Sequence, residues 1–112
     1  MTDQELIANA LRGGATEDQK RIAETGIKWL ATLLRKNNDY GSSAWQPPVL
    51  APQLGCGSAI LVRMSDKVQR IATLSTKGAQ VAESLEDTVS DLGSYCLLWL
   101  SRPQDQEKGK TL

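Results

Sequence analysis

The apolar residues of this chain recur with the period of an α-helix, and no stretch of any length alternates with the period of a strand. Ile22, Ile27, Trp29, Leu30, Leu33 and Leu34 make one such series; Ile60, Leu61, Met64, Val68, Ile71 and Leu74 make another. A third, Val81, Leu85, Val89, Leu92, Cys96 and Trp99, reads as the buried face of a last helix. Start and stop signals divide the chain into four helices. Thr2 with Glu5 reads as a capping box for a helix from about Asp3 to Leu11, ended by Gly13-Gly14. Thr16 with Gln19 repeats that signature before a helix from about Glu17 to Lys36. Ser58 is a plausible N-cap for a third helix ending near Ser75, and the fourth runs from about Ala79 to Ser101. The expected fold is all-α, a small four-helix bundle-like domain over residues 1–102 with antiparallel neighbours.

Between the second and third helices lies a long connection, Asn37 to about Gly57, holding Gly41, Pro47, Pro48, Pro52 and Gly55. Loops beyond about 12–15 residues are uncommon in compact domains and are usually functional or disordered. Tyr40 and Trp45 favour partial order in this one. The tail from Pro103 to Leu112 is almost without apolar residues and is expected to be disordered.

With 112 residues, one domain can bury roughly 65% of its unfolded surface without staples. Thirteen basic residues balance thirteen acidic ones, so the chain lacks the basic footprint of a nucleic-acid binder. Cys56 and Cys96 share no motif spacing and read as reduced thiols. The polar start Met1-Thr2-Asp3-Gln4-Glu5 has no signal-peptide core, and no apolar run approaches the roughly 20 residues of a membrane span. A cytoplasmic location is the expectation. The chain has no histidine, which excludes His-based metal sites, Ser-His-Asp triads and Cys-His dyads.

Chemistry must therefore come from carboxylates, amines and hydroxyls, and three constellations offer it. On a helix through 79–101, Glu83, Asp87 and Asp91 stand four residues apart, each step turning the helix by roughly 40°. Like charges so spaced oppose the helix by about 0.2–0.5 kcal/mol per pair. No Lys or Arg lies within four residues of any of them. Such a stripe can offer oxygen ligands to Mg²⁺, or Mn²⁺, with phosphates on the ion's open side; it can equally be a solvated acidic face paired with the preceding helix. The second constellation is Arg63, Asp66, Lys67 and Arg70: either a surface ladder of ion pairs, or a further metal ligand, Asp66, among phosphate-binding cations. The third runs from Lys36 through Asp39 and Tyr40 to Trp45. It explains a helix stop and a turn, or forms a nucleotide lip with Lys36 near phosphate and Tyr40 or Trp45 against base or sugar.

The ordered runs K-N-N-D-Y-G-S-S-A-W at 36–45, R-M-S-D-K-V-Q-R at 63–70 and E-S-L-E-D-T-V-S-D-L-G-S-Y at 83–95 resemble the nucleotide modification associated domain 1 family of phages and bacteria. The likeness spans about residues 20–100. More distantly, the chain resembles the all-α MazG-like and dimeric dUTPase-like nucleoside triphosphate pyrophosphohydrolases. Those enzymes hold magnesium with carboxylates from an E-x-x-E helix and a following E-x-x-D helix, and usually work as dimers or tetramers. What the resemblance implies is a nucleotide-binding hydrolase with Asp66, Glu83, Asp87 and Asp91 as metal ligands, Asp87 and Asp91 catalytic, and a homodimer or higher oligomer. Lys36, Asp39, Tyr40, Trp45, Arg63, Lys67 and Arg70 would contact substrate. The sequence departs from the pattern in having one acid, Asp66, on the third helix and D-x-x-x-D on the fourth. The alternative is a homo-oligomeric binding or assembly module, or an accessory to a DNA-modifying system, in which the same charges form an inter-helix network.

Overall fold

A computed structural model describes residues 1–14, 16–40, 43–77 and 84–103. The chain is all-α, with four helices, one 3₁₀ turn and no strand among the described residues. None of those helices is long and apolar enough to cross a membrane. The chain divides into two compact units, Met1–Gly41 and Ser42–Leu112. The expected tail, beyond Pro103, lies outside the described residues.

The first unit is a helical hairpin of α1 (Asp3–Leu11) and α2 (Glu17–Tyr40). Its start follows the expected chemistry. The Thr2 hydroxyl accepts from the Glu5 amide at 3.1 Å, and the Glu5 carboxylate accepts from the Thr2 amide at 3.2 Å. These bonds satisfy donors that the first turn of a helix leaves unpaired. Gly13, at φ +75°, supplies the left-handed residue that reverses the chain after α1. The Gln19 amide then donates to the Thr16 hydroxyl and opens α2. That helix runs four residues past Lys36, the expected end, because Asn37, Asn38 and Asp39 continue it. Burial in this unit is slight: among the described residues Ala10 is its one buried apolar residue.

The second unit opens with the 3₁₀ turn Ser43–Trp45 and turns at 46–54, and its body is the hairpin of α3 (Cys56–Lys77) and α4 (Leu85–Leu100). The core lies at the start of α3, where Cys56, Gly57, Ala59 and Ile60 are buried. Ser58 is not the cap of α3. It lies inside the first turn, and Gly55, whose carbonyl accepts from the Ala59 amide, takes the cap position.

The start of α4 also differs from the sequence expectation. Ser84 is its N-cap: the Ser84 hydroxyl accepts from the Asp87 amide at 3.0 Å, and the Asp87 carboxylate accepts from the Ser84 amide at 3.4 Å. The helix therefore begins at Leu85 rather than near Ala79, since this serine-to-aspartate capping box sets its first turn. Val81 and Glu83 lie outside the described residues.

Leu92, Cys96 and Trp99 are half-buried, and the inner face of α4 departs from apolar counting at its start. Leu85 and Val89 are exposed, whereas Thr88 is fully buried. The Thr88 hydroxyl donates to the Ser84 carbonyl at 3.3 Å, so burial leaves it satisfied. Replacing Ser84 by Ala is expected to destabilise the chain by about 1 kcal/mol, seen as a lowered urea midpoint with unchanged slope, and Asn at the same position should restore most of the loss.

Candidate functional site

The seam between α3 and α4 carries the charged residues that sequence spacing singled out. On α3, Lys67 falls in line with Ile60, Met64, Ile71 and Leu74, alternating steps of three and four that keep one face of a helix together. On α4, the corresponding line is Thr88, Asp91 or Leu92, Tyr95 and Trp99. Lys67 and Asp91 meet between the helices, Nζ to Oδ2 at 3.2 Å. The Lys67 side chain is 16% exposed and that of Asp91 37%. A lysine reaches such a position by laying its four-carbon stem along apolar neighbours and delivering only the ammonium to the acid.

This pair marks the register of the two helices. They run antiparallel, so Arg70 is carried toward the Thr88 end of α4 and Arg63 toward Tyr95. Arg63 is half-buried; Asp66 and Arg70 are exposed on the flank of α3. The basic run 63–70 and the acidic start of α4 thus share one hairpin. The acidic stripe does not lie opposite the buried face, as periodicity suggested. Asp91 belongs to the seam, because an ion pair partly withdrawn from water can take a seam position where hydropathy alone would place an aliphatic residue.

Two of the three stripe residues are described, and each already holds a partner. Asp87 closes the capping box, and Asp91 takes Lys67. Among the described residues no group of three or more His, Cys, Asp or Glu side chains is gathered as a metal cage. The donor set suits Mg²⁺ in one form only: two carboxylates one turn apart, Asp87 and Asp91, completed by phosphate oxygens and water. That is the usual way magnesium is held at phosphate-binding sites.

The expected nucleotide lip is divided. Lys36, Asp39 and Tyr40 stand on the last turns of α2, in the first unit, with Lys36 and Asp39 exposed. Trp45 belongs to the second unit, half-buried, with its indole Nε1 donating to the Leu98 carbonyl at 3.1 Å. Its hydrogen bond ties the 3₁₀ turn to the C-terminal end of α4. Beside it, the Arg102 guanidinium lies 3.8 Å over the ring of Trp99 and Nη1 donates to the Trp99 carbonyl at 2.8 Å. This stacked pair closes the helix end through a cation–π contact. Neither Arg102 nor Tyr95 emerged as a site residue from the sequence, although the three-residue interval between Trp99 and Arg102 is the spacing that brings side chains together on a helix.

No family model matches the chain, and searches of curated proteins and of solved structures find no match either.

The seam makes its own prediction. Asp91→Asn removes the carboxylate from a mostly buried ammonium and is expected to cost about 1–3 kcal/mol in urea unfolding. Replacing both residues, Lys67→Met with Asp91→Leu, should cost less than Asp91→Asn alone; a larger loss in the double variant would mean the pair does not set the seam.

Proposed function

We propose that this chain binds the phosphates of a nucleotide at the α3–α4 hairpin together with a divalent cation. The observation that carries the reading is the Lys67–Asp91 pair. It brings Lys67 of the basic run 63–70 against Asp91 of α4, which supports reading phosphate-binding cations and metal-binding carboxylates on the same hairpin. Asp87 and Asp91 would hold Mg²⁺, with Asp66 on the neighbouring helix in support. Arg63, Lys67 and Arg70 would neutralise phosphate charge, the role preorganised cations play in phosphoryl transfer. When bound, the metal supplies Lewis acidity to a phosphoryl oxygen.

The specific form of the proposal is hydrolysis of a (deoxy)nucleoside triphosphate to the monophosphate and pyrophosphate, water adding across the bond between the α and β phosphorus atoms. A carboxylate of the Asp87–Asp91 pair would take the proton of that water. The resemblance of the three ordered motifs to nucleotide-handling families supports this reading, as does the gathering of two of those motifs in one hairpin.

A second reading has its own observation. Both described carboxylates are engaged within the chain, Asp87 by its cap and Asp91 by Lys67. On that basis the seam is a structural network within a homo-oligomeric assembly module.

Thermal unfolding with and without Mg²⁺ separates the two. Under the first reading, Mg²⁺ at tenfold excess over its Kd stabilises the chain by about 1.4 kcal/mol through mass action. Asp87→Asn, which keeps an acceptor for the Ser84 amide, should abolish that gain and leave the metal-free protein nearly as stable. Stability indifferent to Mg²⁺ or Mn²⁺ with a nucleoside triphosphate present, together with a destabilised Asp87→Asn, gives the decision to the network. Pyrophosphate release over a panel of nucleoside triphosphates then tests the hydrolytic form.

A further inference from the structure

Lys67 holds the place on Asp91 that the proposed metal ion needs. Its Nζ stands 3.2 Å from Oδ2, and only 16% of the Lys67 side chain is exposed. An ion drawn to either oxygen of Asp91 therefore meets a positive charge already seated there, in a seam where water and salt screen poorly. Asp87, one turn earlier, takes a neutral partner, the Ser84 amide, at 3.4 Å. Of the two carboxylates proposed for the ion, one is open and one is guarded.

What releases Lys67 follows from its neighbours on α3. Arg63 lies four residues before it and Arg70 three residues after, the intervals that make side chains neighbours on a helix surface. Like charges so placed repel, and Asp91 offsets that repulsion at its centre. Were Asp91 given to a metal ion with nothing in exchange, the cations of α3 would face a divalent ion. A phosphate group removes the conflict. The Lys67 ammonium carries its donors on a flexible four-carbon stem. A swing from a carboxylate oxygen to a phosphate oxygen keeps it paired with an anion while it frees Asp91.

We infer that Lys67 gates the metal site: without ligand it stands in for the cation on Asp91, and it yields that carboxylate to a divalent ion when it takes up a phosphate. Metal and phosphate are then bound together, and a bare ion is held weakly. The coupling is reciprocal, so the metal raises the affinity for phosphate by the same factor. The inference rests on the nucleotide reading above. It adds to that reading a means of keeping bare Mg²⁺ from the carboxylates.

The test titrates the full chain with two ligands by calorimetry: Mn²⁺ alone, and the Mg²⁺ complex of a non-hydrolysable nucleoside triphosphate analogue. Lys67→Gln removes the charge and keeps a donor for Asp91. It should bind bare Mn²⁺ about tenfold tighter than the wild type, yet bind the metal–triphosphate complex about tenfold more weakly. Lys67→Arg keeps the charge and should hold bare Mn²⁺ as weakly as the wild type. Arg70→Gln removes an equal charge one turn away and should change bare Mn²⁺ affinity less than about threefold, because exposed charges are screened. In the wild type, where no variant's folding enters, the Lys67 side-chain resonances should move on adding the complex and stay on adding the same concentration of Mg²⁺ alone. Bare Mn²⁺ bound alike by wild type and Lys67→Gln, equal tightening in Arg70→Gln, or Lys67 resonances unmoved by a complex that binds would each overturn the gate. A complex that binds the wild type while any of these holds leaves the nucleotide reading intact and removes the gate alone; a complex that binds neither protein removes both.

Discussion

The ion pair between Lys67 and Asp91 is the constraint from which the arrangement of the charged residues follows. Two helices joined by a short connection can slide past each other by a turn with little change in apolar contact, because aliphatic side chains are interchangeable in a seam. A lysine and an aspartate are not. An ammonium mostly withdrawn from water tolerates one placement of its partner, and breaking that placement leaves a charge desolvated without compensation. The pair marks the register of the hairpin, in which Thr88 is buried, Leu85 and Val89 are exposed, and Arg70 rather than Arg63 lies toward the acidic start of α4.

Polar groups enter the seam of the second unit beside its aliphatic residues, each with a partner: Thr88 with the Ser84 carbonyl, Asp91 with Lys67. Leu85 and Val89, at the start of α4, stand outside it. In the first unit, one apolar residue is buried among the described residues, and α2 outruns the short helix packed on it. A nine-residue α1 covers about 14 Å of axis, and α2 runs about 36 Å. The rest of α2 extends beyond α1.

Much of the fold was legible in the sequence because it rests on local chemistry. Thr2 with Glu5, Thr16 before Glu17 and Gly13 each act over three or four residues, and the structure uses them as the sequence implies. The start of α4 was misplaced because the three-residue interval that makes Ser84 and Asp87 a capping box also lies inside a longer run of helix-compatible residues. The inner face of α4 was misassigned for a different reason. Hydropathy ranks Val89 above Asp91 for burial, and only the position of Lys67 on another helix reverses that order. A long-range partner leaves no mark in the local pattern. The same holds for the stripe: Asp87 and Asp91 are one turn apart, as spacing required, yet each one's partner was invisible from the interval alone.

In the proposed function, the cations of 63–70 and the carboxylates at the start of α4 act on one phosphate-bearing ligand. Amide chemical-shift mapping of the full chain, titrated with Mg²⁺ and a non-hydrolysable nucleoside triphosphate analogue, tests it most directly. The account predicts saturable shifts concentrated at Arg63, Lys67 and Arg70 on α3 and at Asp87, Asp91 and their neighbours on α4. Saturable shifts confined to other residues, or none at millimolar ligand, would contradict it.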